Sequence, residues 1–249
     1  MIRGLRRFYI DSVLSAENSL LELSDRETFH LQQVLRLKPG DPCRIFDRSG
    51  REAEARVEAI SGRKRAQVRV GKISLRPEKF FRLRVAQAVP QRGKMDDLVK
   101  KAEELGVAEL WAVETERTMV RMRPEAGERA RKRWERIVVE AAKQSGNPFL
   151  TQVAGPISFQ RLLEEELKPS DRAYLFHPDP SGARFSKVVE EIASPSLFLF
   201  FGPEGGFTEK EVRLAESRGV RKVFLGVSTL RVETAFLGAV SALQFLGNS

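Results

Sequence analysis

From residue 81 to the C-terminus, short apolar runs alternate with longer segments of helical periodicity. The apolar runs predict strands at 83–89, 110–114, 151–154, 173–177, 197–201 and 222–225. The segments between and after them predict helices at 95–105, 124–144, 159–167, 185–192, 208–218 and 232–246, several of them closed by a glycine. Regular alternation of this kind predicts an α/β fold with a parallel sheet covered by helices on both faces. Functional loops are then expected at the carboxyl ends of the strands.

The first 75 residues follow a different pattern. Short strands are predicted at 8–10, 43–47, 52–60 and 66–70, with a helical turn or two between Asp25 and Leu37. Alternation at period two with hairpin-length turns favours a small antiparallel sheet or barrel with one solvated face. The stretch from Lys72 to Lys79, which contains Pro77, is the predicted linker. We therefore expect two domains, at 1–75 and 76–249.

Charge favours a polyanionic partner. The 249 residues include 43 Lys and Arg against 34 Asp and Glu, a net charge of +9. Basic residues are concentrated in 1–75 and again in 117–133, as a two-point grip on a folded nucleic acid would need. Many basic proteins bind no nucleic acid, so charge alone leaves the partner open.

Other sequence features argue against membrane, secreted and metal-dependent proteins. No apolar run approaches the roughly 20 residues of a transmembrane helix, and the basic N-terminus is followed by a broken apolar run, unlike a secretory signal. The chain is therefore expected to be cytoplasmic. The single cysteine, Cys43, allows no internal disulfide, and His30 and His177 are far apart. We expect no bound metal.

The strand predicted at 197–201 leads into a glycine-rich loop at 202–206. The loop lacks the lysine of a nucleoside triphosphate site, and neither its spacing nor its place in the chain fits a dinucleotide fingerprint. A tight turn into a helix capped by Thr208 and Glu211 would explain it equally well. A second loop, at 226–230, follows the next strand along the chain and is expected to lie beside the first. Two such loops without lysine favour a flat, phosphate-free ligand such as an adenosine with an amino-acid tail.

Three strings in this region resemble the SPOUT superfamily of methyltransferases. They are FGPEGGFT at 201–208, LG at 225–226 and LRVETA at 230–235. Within the superfamily the match is to the bacterial enzymes that methylate N3 of a uridine in 16S ribosomal RNA. Shorter matches at 30–41, 94–107 and 140–145 extend the resemblance over nearly the whole chain.

The resemblance implies a PUA-like β-barrel that binds RNA at 1–75 and a SPOUT methyltransferase domain at 76–249, whose sheet is tied into a deep trefoil knot. It also implies S-adenosylmethionine as the cofactor, a homodimer, and the 16S RNA of the small ribosomal subunit as the substrate. Periodicity predicts none of these features, and knotted chains are rare.

Candidate site residues are assigned from the two loops, from the strand end at 176–178 and from the basic zones. Cofactor contacts are expected from Phe176, His177, Pro178, Phe201, Gly202, Gly205, Leu225, Gly226, Leu230 and Thr234. A lone histidine such as His177 is also common as a packed or solvated side chain. RNA contacts are expected from Arg6, Arg7, Arg36, Lys94, Arg117, Arg121 and Arg123. Glu204 is expected to be structural or to orient its loop.

The reaction itself suggests roles for two further residues. The N3 proton of uridine has a pKa well above neutrality, so it must leave, and the charge that develops on the ring must be stabilised. We expect Arg231 to donate a hydrogen bond to a uracil carbonyl. Glu233 would orient Arg231 or accept the proton, or would only stabilise the start of its helix.

The sequence leaves two other functions open. One is a related SPOUT enzyme that methylates a ribose 2′-hydroxyl or another base. The other is a non-catalytic RNA-binding protein of ribosome assembly that keeps the fold.

Overall fold

The computed structural model describes residues 5–62, 65–77, 82–91, 93–190, 196–226 and 229–247. The chain divides into two compact units, Met1–Glu78 with Ala142–Leu150, and Lys79–Ala141 with Thr151–Ser249. Most of the basic N-terminal heptapeptide, the loop residues Val227 and Ser228, and the predicted helix end at Ile192 lie outside the described residues. In the described part of the chain, no helix has both the length and the apolar character to cross a membrane.

The first unit contains one five-stranded sheet. Its elements are β1 (Arg7–Tyr9), β2 (Leu20–Glu22), α1 (Asp25–Phe29), a π-helical turn (His30–Val34), β3 (Pro42–Phe46), β4 (Arg51–Ser61) and β5 (Arg65–Leu75). The strands are ordered β1-β3-β4-β5-β2. Three pairs are antiparallel, as predicted, whereas β1 pairs with β3 in parallel. The long connection between β1 and β3 permits the parallel pairing that a hairpin would forbid. The sequence did not predict β2, which is only three residues long.

The prediction of a linker is wrong for its first four residues, 72–75. Residues 72–75 continue β5, and Ser74 and Leu75 are paired with Glu52 and Arg51 of β4. Pairing with an 11-residue neighbour satisfies their backbone groups, which outweighs the weak side-chain pattern of this stretch. The domain boundary after residue 75 stays a prediction.

The short segment Ala142–Leu150 groups with the first unit. Lys143 Nζ lies 2.9 Å from Glu27 Oε1, and both side chains are buried. Removing either partner of a buried ion pair leaves an uncompensated charge. This pair therefore fixes the segment to α1 inside the first unit.

The second unit contains a seven-stranded sheet with the order β10-β12-β9-β11-β6-β7-β8. All of its strand pairs are parallel, which confirms the predicted α/β fold. Its elements are β6 (Arg82–Ala88), α2 (Lys94–Glu104), β7 (Glu109–Glu114), α3 (Pro124–Ser145), β8 (Gln152–Ser158), α4 (Phe159–Glu165), β9 (Arg172–Phe176), β10 (Ala183–Arg184), α5 (Phe185–Glu190), β11 (Ser196–Phe201), α6 (Glu209–Ser217), β12 (Arg221–Phe224) and α7 (Val232–Gly247).

The strand order corrects one expectation about the two loops. Strand β9 lies between β11 and β12, so the loops that follow β11 and β12 are not neighbours along the sheet. The loop after β9 lies between them. A sequence shows which strands are consecutive but not which of them pair, because pairing is decided by packing of the whole sheet.

Two further strand predictions differ from the structure. Strand β8 continues to Ser158, beyond the predicted end at Ala154. Gly155 has a φ of 87° and lies beside an irregularity in the pairing with β7, which accommodates Pro156. Strand β8 is also an edge strand, where proline is tolerated. The two-residue strand β10 was also not predicted, because two residues carry no periodic signal.

An ion cluster lies near the amino ends of the central strands. Arg84 of β6 is 1% exposed, and it donates to Glu109 Oε2 at 2.9 Å, to Asp171 Oδ2 at 2.5 Å and to the Glu166 carbonyl at 3.0 Å. Its guanidinium also lies 4.2 Å from the centroid of the Phe198 ring. Burial raises the pKa of Glu109, but hydrogen bonds from Trp111 and Arg84 outweigh it and lower the pKa below the ordinary value. Arg84 thus joins strands β6 and β7 to the start of β9.

Candidate functional site

A cavity of about 320 Å³ lies at the carboxyl ends of β9, β11 and β12. Its volume is within the range of small-molecule sites. Its wall consists of the three strand ends, the loops that follow them, and the first turn of α7. The lining residues are Phe176, His177, Pro178, Phe201, Gly202, Pro203, Glu204, Gly205, Gly206, Phe207, Val223, Phe224, Leu225, Thr229, Leu230, Val232 and Ala235.

Most of the predicted cofactor contacts line this one cavity. Of the predicted set, Gly226 and Thr234 are exposed and do not belong to the lining. Sequence reasoning missed Val232 and Ala235, although their spacing of three on α7 places them on one helix face. Their ligand roles stay predictions.

Two stacked phenylalanines line the cavity. Phe176 and Phe201 are paired residues on β9 and β11, and their rings stack with centroids 4.6 Å apart and an interplanar angle of 2°. Phe236 of α7 packs against Phe201 at 5.6 Å. Because β9 separates β11 from β12, its end contributes directly to the lining. The structure therefore puts the predicted wall at 176–178 in the centre of the site.

The glycine loop makes a tight turn into α6. Gly206 has a φ of 68° and its amide donates to the Pro203 carbonyl at 2.9 Å, a conformation that favours glycine. Thr208 and Glu211 form the predicted capping box at the start of α6. Glu211 also accepts from the Glu116 amide at 2.8 Å. The predicted tight turn into a helix capped by Thr208 and Glu211 is therefore confirmed. Residues of the same turn line the cavity.

Two basic side chains bond to the glycine loop. Arg117 donates to the Gly205 carbonyl at 2.8 Å. Lys94, in the first turn of α2, lies 3.3 Å from Glu204 Oε1, and the Gln91 amide donates to the same oxygen at 3.2 Å. Strand β6, which precedes α2, pairs with β11, so these contacts join loops at neighbouring strand ends. Lys94 and Arg117 were predicted as RNA contacts, and their bonds to the loop were not predicted.

The two predicted catalytic residues lie at the start of α7. Arg231 is exposed, and within the described residues its side chain makes no hydrogen bond or ion pair. Glu233 lies in the first turn, with Oε1 2.8 Å from Lys94 Nζ. The bond from Lys94 lowers the pKa of Glu233 below the ordinary value, and the charge of Arg231 acts in the same direction. An ionised carboxylate in a first helical turn is also favoured by the helix dipole. Arg231 is therefore available to a ligand, whereas Glu233 is held by a lysine.

His177 is held by the turn that follows β9. Its Nδ1 accepts from the Asp179 amide at 3.2 Å. Asp179 in turn accepts from Lys222 Nζ at 2.6 Å and from Ser181, and these bonds hold its pKa far below the ordinary value. The ring lines the cavity as predicted, in a fixed orientation. Within the described ranges, no three His, Cys, Asp or Glu side chains are grouped as a metal site would require.

The remaining predicted RNA contacts differ in accessibility. Arg6 and Arg36 of the first unit are exposed, and so are Arg121 and Arg123 of the second. Arg7 is the exception, because it bonds to Glu52 and the Ala142 carbonyl and lies over the Phe46 ring, with only 9% of its side chain exposed. Arg7 therefore has packing partners inside the first unit, and its contact with RNA stays a prediction.

Two family models match most of the chain. A family model described as an RNA methyltransferase domain matches residues 76–244, and a model of an RNA methyltransferase PUA domain matches residues 23–71. The chain is 29% identical over 249 residues to ribosomal RNA small subunit methyltransferase E of Bacillus subtilis, which covers 97% of this chain and 96% of the relative.

Two solved structures share the fold over nearly their whole length. The ribosomal RNA small subunit methyltransferase E of Neisseria gonorrhoeae, bound to S-adenosyl methionine, has a TM-score of 0.87 at 28% identity and covers 98% of both chains. A protein of Legionella pneumophila, solved with the cofactor SAM, has a TM-score of 0.88 at 28% identity and covers 97% of this chain and 98% of its own.

Proposed function

The chain belongs to the RNA methyltransferase family, and from that membership we propose that it transfers a methyl group from S-adenosylmethionine to N3 of a uridine in the 16S RNA of the small ribosomal subunit. The observation that carries the proposal is the cavity at the ends of β9, β11 and β12. In support, relatives that are 28% identical over nearly the whole chain bind this cofactor, and a curated relative of similar length modifies small-subunit RNA.

The cavity suits S-adenosylmethionine in charge and in shape. Among the described residues that line it there is no lysine or arginine, and Glu204 is the one acidic side chain. Such a lining repels a phosphate and tolerates a cationic ligand, and S-adenosylmethionine carries a positive sulfonium. A Cβ on Gly206 would meet no atom of the described residues within 4 Å, so the loop presents bare backbone that a ligand can approach closely. The cofactor, when bound, supplies an electrophilic methyl group.

The protein's own contribution to the chemistry would come from the start of α7. Methylation at N3 requires the ring to lose its proton, which places negative charge on the uracil carbonyls. The exposed guanidinium of Arg231 makes no hydrogen bond or ion pair with the described residues and would stabilise that charge. Glu233 would orient Arg231 or accept the proton, or would act only on the helix dipole.

RNA would be held by both units. The exposed Arg6 and Arg36 belong to the first unit, which contains the region matched by the PUA model, and Arg121 and Arg123 belong to the second. We assign RNA binding to domain 1–75 and methyl transfer to domain 76–249. The deep trefoil knot, the homodimer and a cytoplasmic location are part of the same proposal.

RNA affinity is expected to fall steeply with salt. Four arginine–phosphate contacts would lower it by roughly 50-fold between about 50 and 200 mM salt, because each contact releases counterions. Titration of the RNA at several salt concentrations measures the slope. Replacing Arg36 or Arg123 with methionine is expected to flatten it by about one contact each. A flat profile for the native protein would contradict the two-point grip.

The reaction is tested by incubating the protein and S-adenosylmethionine with small subunits, or with free 16S RNA, from a strain that lacks the gene. Mass spectrometry of the nucleosides is expected to show 3-methyluridine. A 2′-O-methylated nucleoside or another methylated base would replace this proposal with a related RNA methyltransferase. Absence of both product and cofactor binding by calorimetry would favour a non-catalytic RNA-binding protein.

A further inference from the structure

Lys94 joins three separate parts of the second unit. Its Nζ lies 2.8 Å from Glu233 Oε1 at the start of α7 and 3.3 Å from Glu204 Oε1 in the glycine loop. Lys94 itself is the first residue of α2. About a third of the side chain is exposed, as is about a third of Glu204 and a quarter of Glu233. One ammonium group therefore holds two carboxylates, one in the glycine loop and one in the first turn of α7.

The positive charge of Lys94 allows the carboxylates of Glu204 and Glu233 to lie near each other. Two carboxylates that share one cation repel each other once the cation is removed. The bond to Glu233, the largest contribution, raises the pKa of Lys94, and the bond to Glu204 adds to it. The same contact lowers the pKa of Glu233, so Lys94 and Glu233 form an ionised pair near neutral pH. Without Lys94, repulsion would separate the glycine loop from the start of α7.

A larger distance between the glycine loop and the start of α7 would change the shape of the cavity, because both contribute lining residues. Glu204 and Gly205 of the glycine loop line the cavity, and so does Val232, which precedes Glu233 in α7. A ligand that contacts both the loop and α7 binds more tightly when the two are already held together, because less ordering is needed on binding.

We propose that Lys94 is a positioning residue that sets the distance between the glycine loop and the first turn of α7, and thereby the affinity for the cofactor. This inference rests on the proposed function, since it takes S-adenosylmethionine as the ligand of the cavity. It gives Lys94 a role within the protein in place of the RNA contact predicted from sequence. It also places Glu204 and Glu233 in one charge network.

Calorimetry with S-adenosylmethionine in the absence of RNA tests the inference. Lys94→Met, which keeps the length of the chain and removes the charge, is expected to raise the Kd about tenfold, and Lys94→Arg is expected to restore binding to within about twofold. Lys100→Met is the matched control, because Lys100 lies on the same helix and pairs only with Glu104 at 3.8 Å among the described residues. This variant is expected to bind as the native protein does. RNA affinity is expected to be unchanged in Lys94→Met.

A double-variant cycle separates charge sharing from a general loss of structure. If Lys94 acts through Glu204, the losses caused by Lys94→Met and Glu204→Gln are not additive in the double variant. Additive losses would overturn the inference, as would an unchanged Kd in Lys94→Met or an equal loss in Lys100→Met. Reduced RNA affinity with normal cofactor binding would return Lys94 to the RNA contacts. Failure of the native protein to bind S-adenosylmethionine would instead refute the proposed function.

Discussion

Replacement of Arg231 with alanine is expected to lower the single-turnover rate of methyl transfer by about 30- to 1,000-fold, which corresponds to roughly 2–4 kcal/mol. The guanidinium is exposed at the start of α7, next to the cavity-lining residues Leu230 and Val232. Within the described residues its side chain makes no hydrogen bond or ion pair, so its N–H groups can donate to the uracil ring. A donor of this kind acts mainly in the transition state, where charge on the carbonyl is largest.

The assay uses saturating S-adenosylmethionine and small ribosomal subunits, so that the rate reports the chemical step. Calorimetry is expected to give the native cofactor affinity for Arg231→Ala, because the residue does not belong to the cavity lining. Arg213→Ala, at an exposed position on α6, is the control and is expected to react at the native rate. Unchanged transfer by Arg231→Ala would exclude the catalytic role.

Replacement of Arg84 with methionine is expected to destabilise the protein by about 3–5 kcal/mol. The guanidinium is 1% exposed and bonds to two carboxylates and one carbonyl. Methionine fills a similar volume but leaves Glu109 and Asp171 without the buried cation. The urea midpoint, followed by circular dichroism, is expected to fall by roughly 1 M or more.

Arg82 supplies the control for this prediction. It bonds to the same carboxylate, Glu109, at 2.6 Å, but half of its side chain is exposed. Arg82→Met is therefore expected to cost less than about 1 kcal/mol. Equal losses in the two variants would show that burial of Arg84 is not the cause.

Acidity is expected to reduce the difference between Arg84→Met and the native protein. The folded pKa of Glu109 is below its ordinary value of 4.5, so its stabilising effect is complete above about pH 5 and is lost as the pH falls through the folded pKa. Below that pH the carboxyl is neutral, and the missing arginine matters less. Urea titrations of both proteins between pH 3 and pH 7 measure this change.

Local features of the site were predictable because their causes are local. Thr208 and Glu211 are three residues apart, and this spacing alone specifies a capping box. The matched strings at 201–208 and 230–235 indicated the loops that line the cavity. Apolar runs indicated β9, β11 and β12 to within one or two residues, because strands buried on both faces are continuously apolar.

Features that depend on distant parts of the chain were missed. The sequence does not reveal that β9 separates β11 from β12, because the sheet order depends on how the crossover helices pack. Arg7 looked like its exposed neighbour Arg6, yet it is enclosed by Glu52, Phe46 and the Ala142 carbonyl. Those three partners lie far from it in sequence.

The sequence by itself determined the α/β class of the second unit, the capped glycine loop, and the family to which the chain belongs. Only the tertiary structure decided that Lys94, Glu204 and Glu233 share one charge network. The reason is physical: periodicity and capping depend on residues within a few positions of one another, whereas this network joins three elements whose proximity is set by the parallel sheet that carries them.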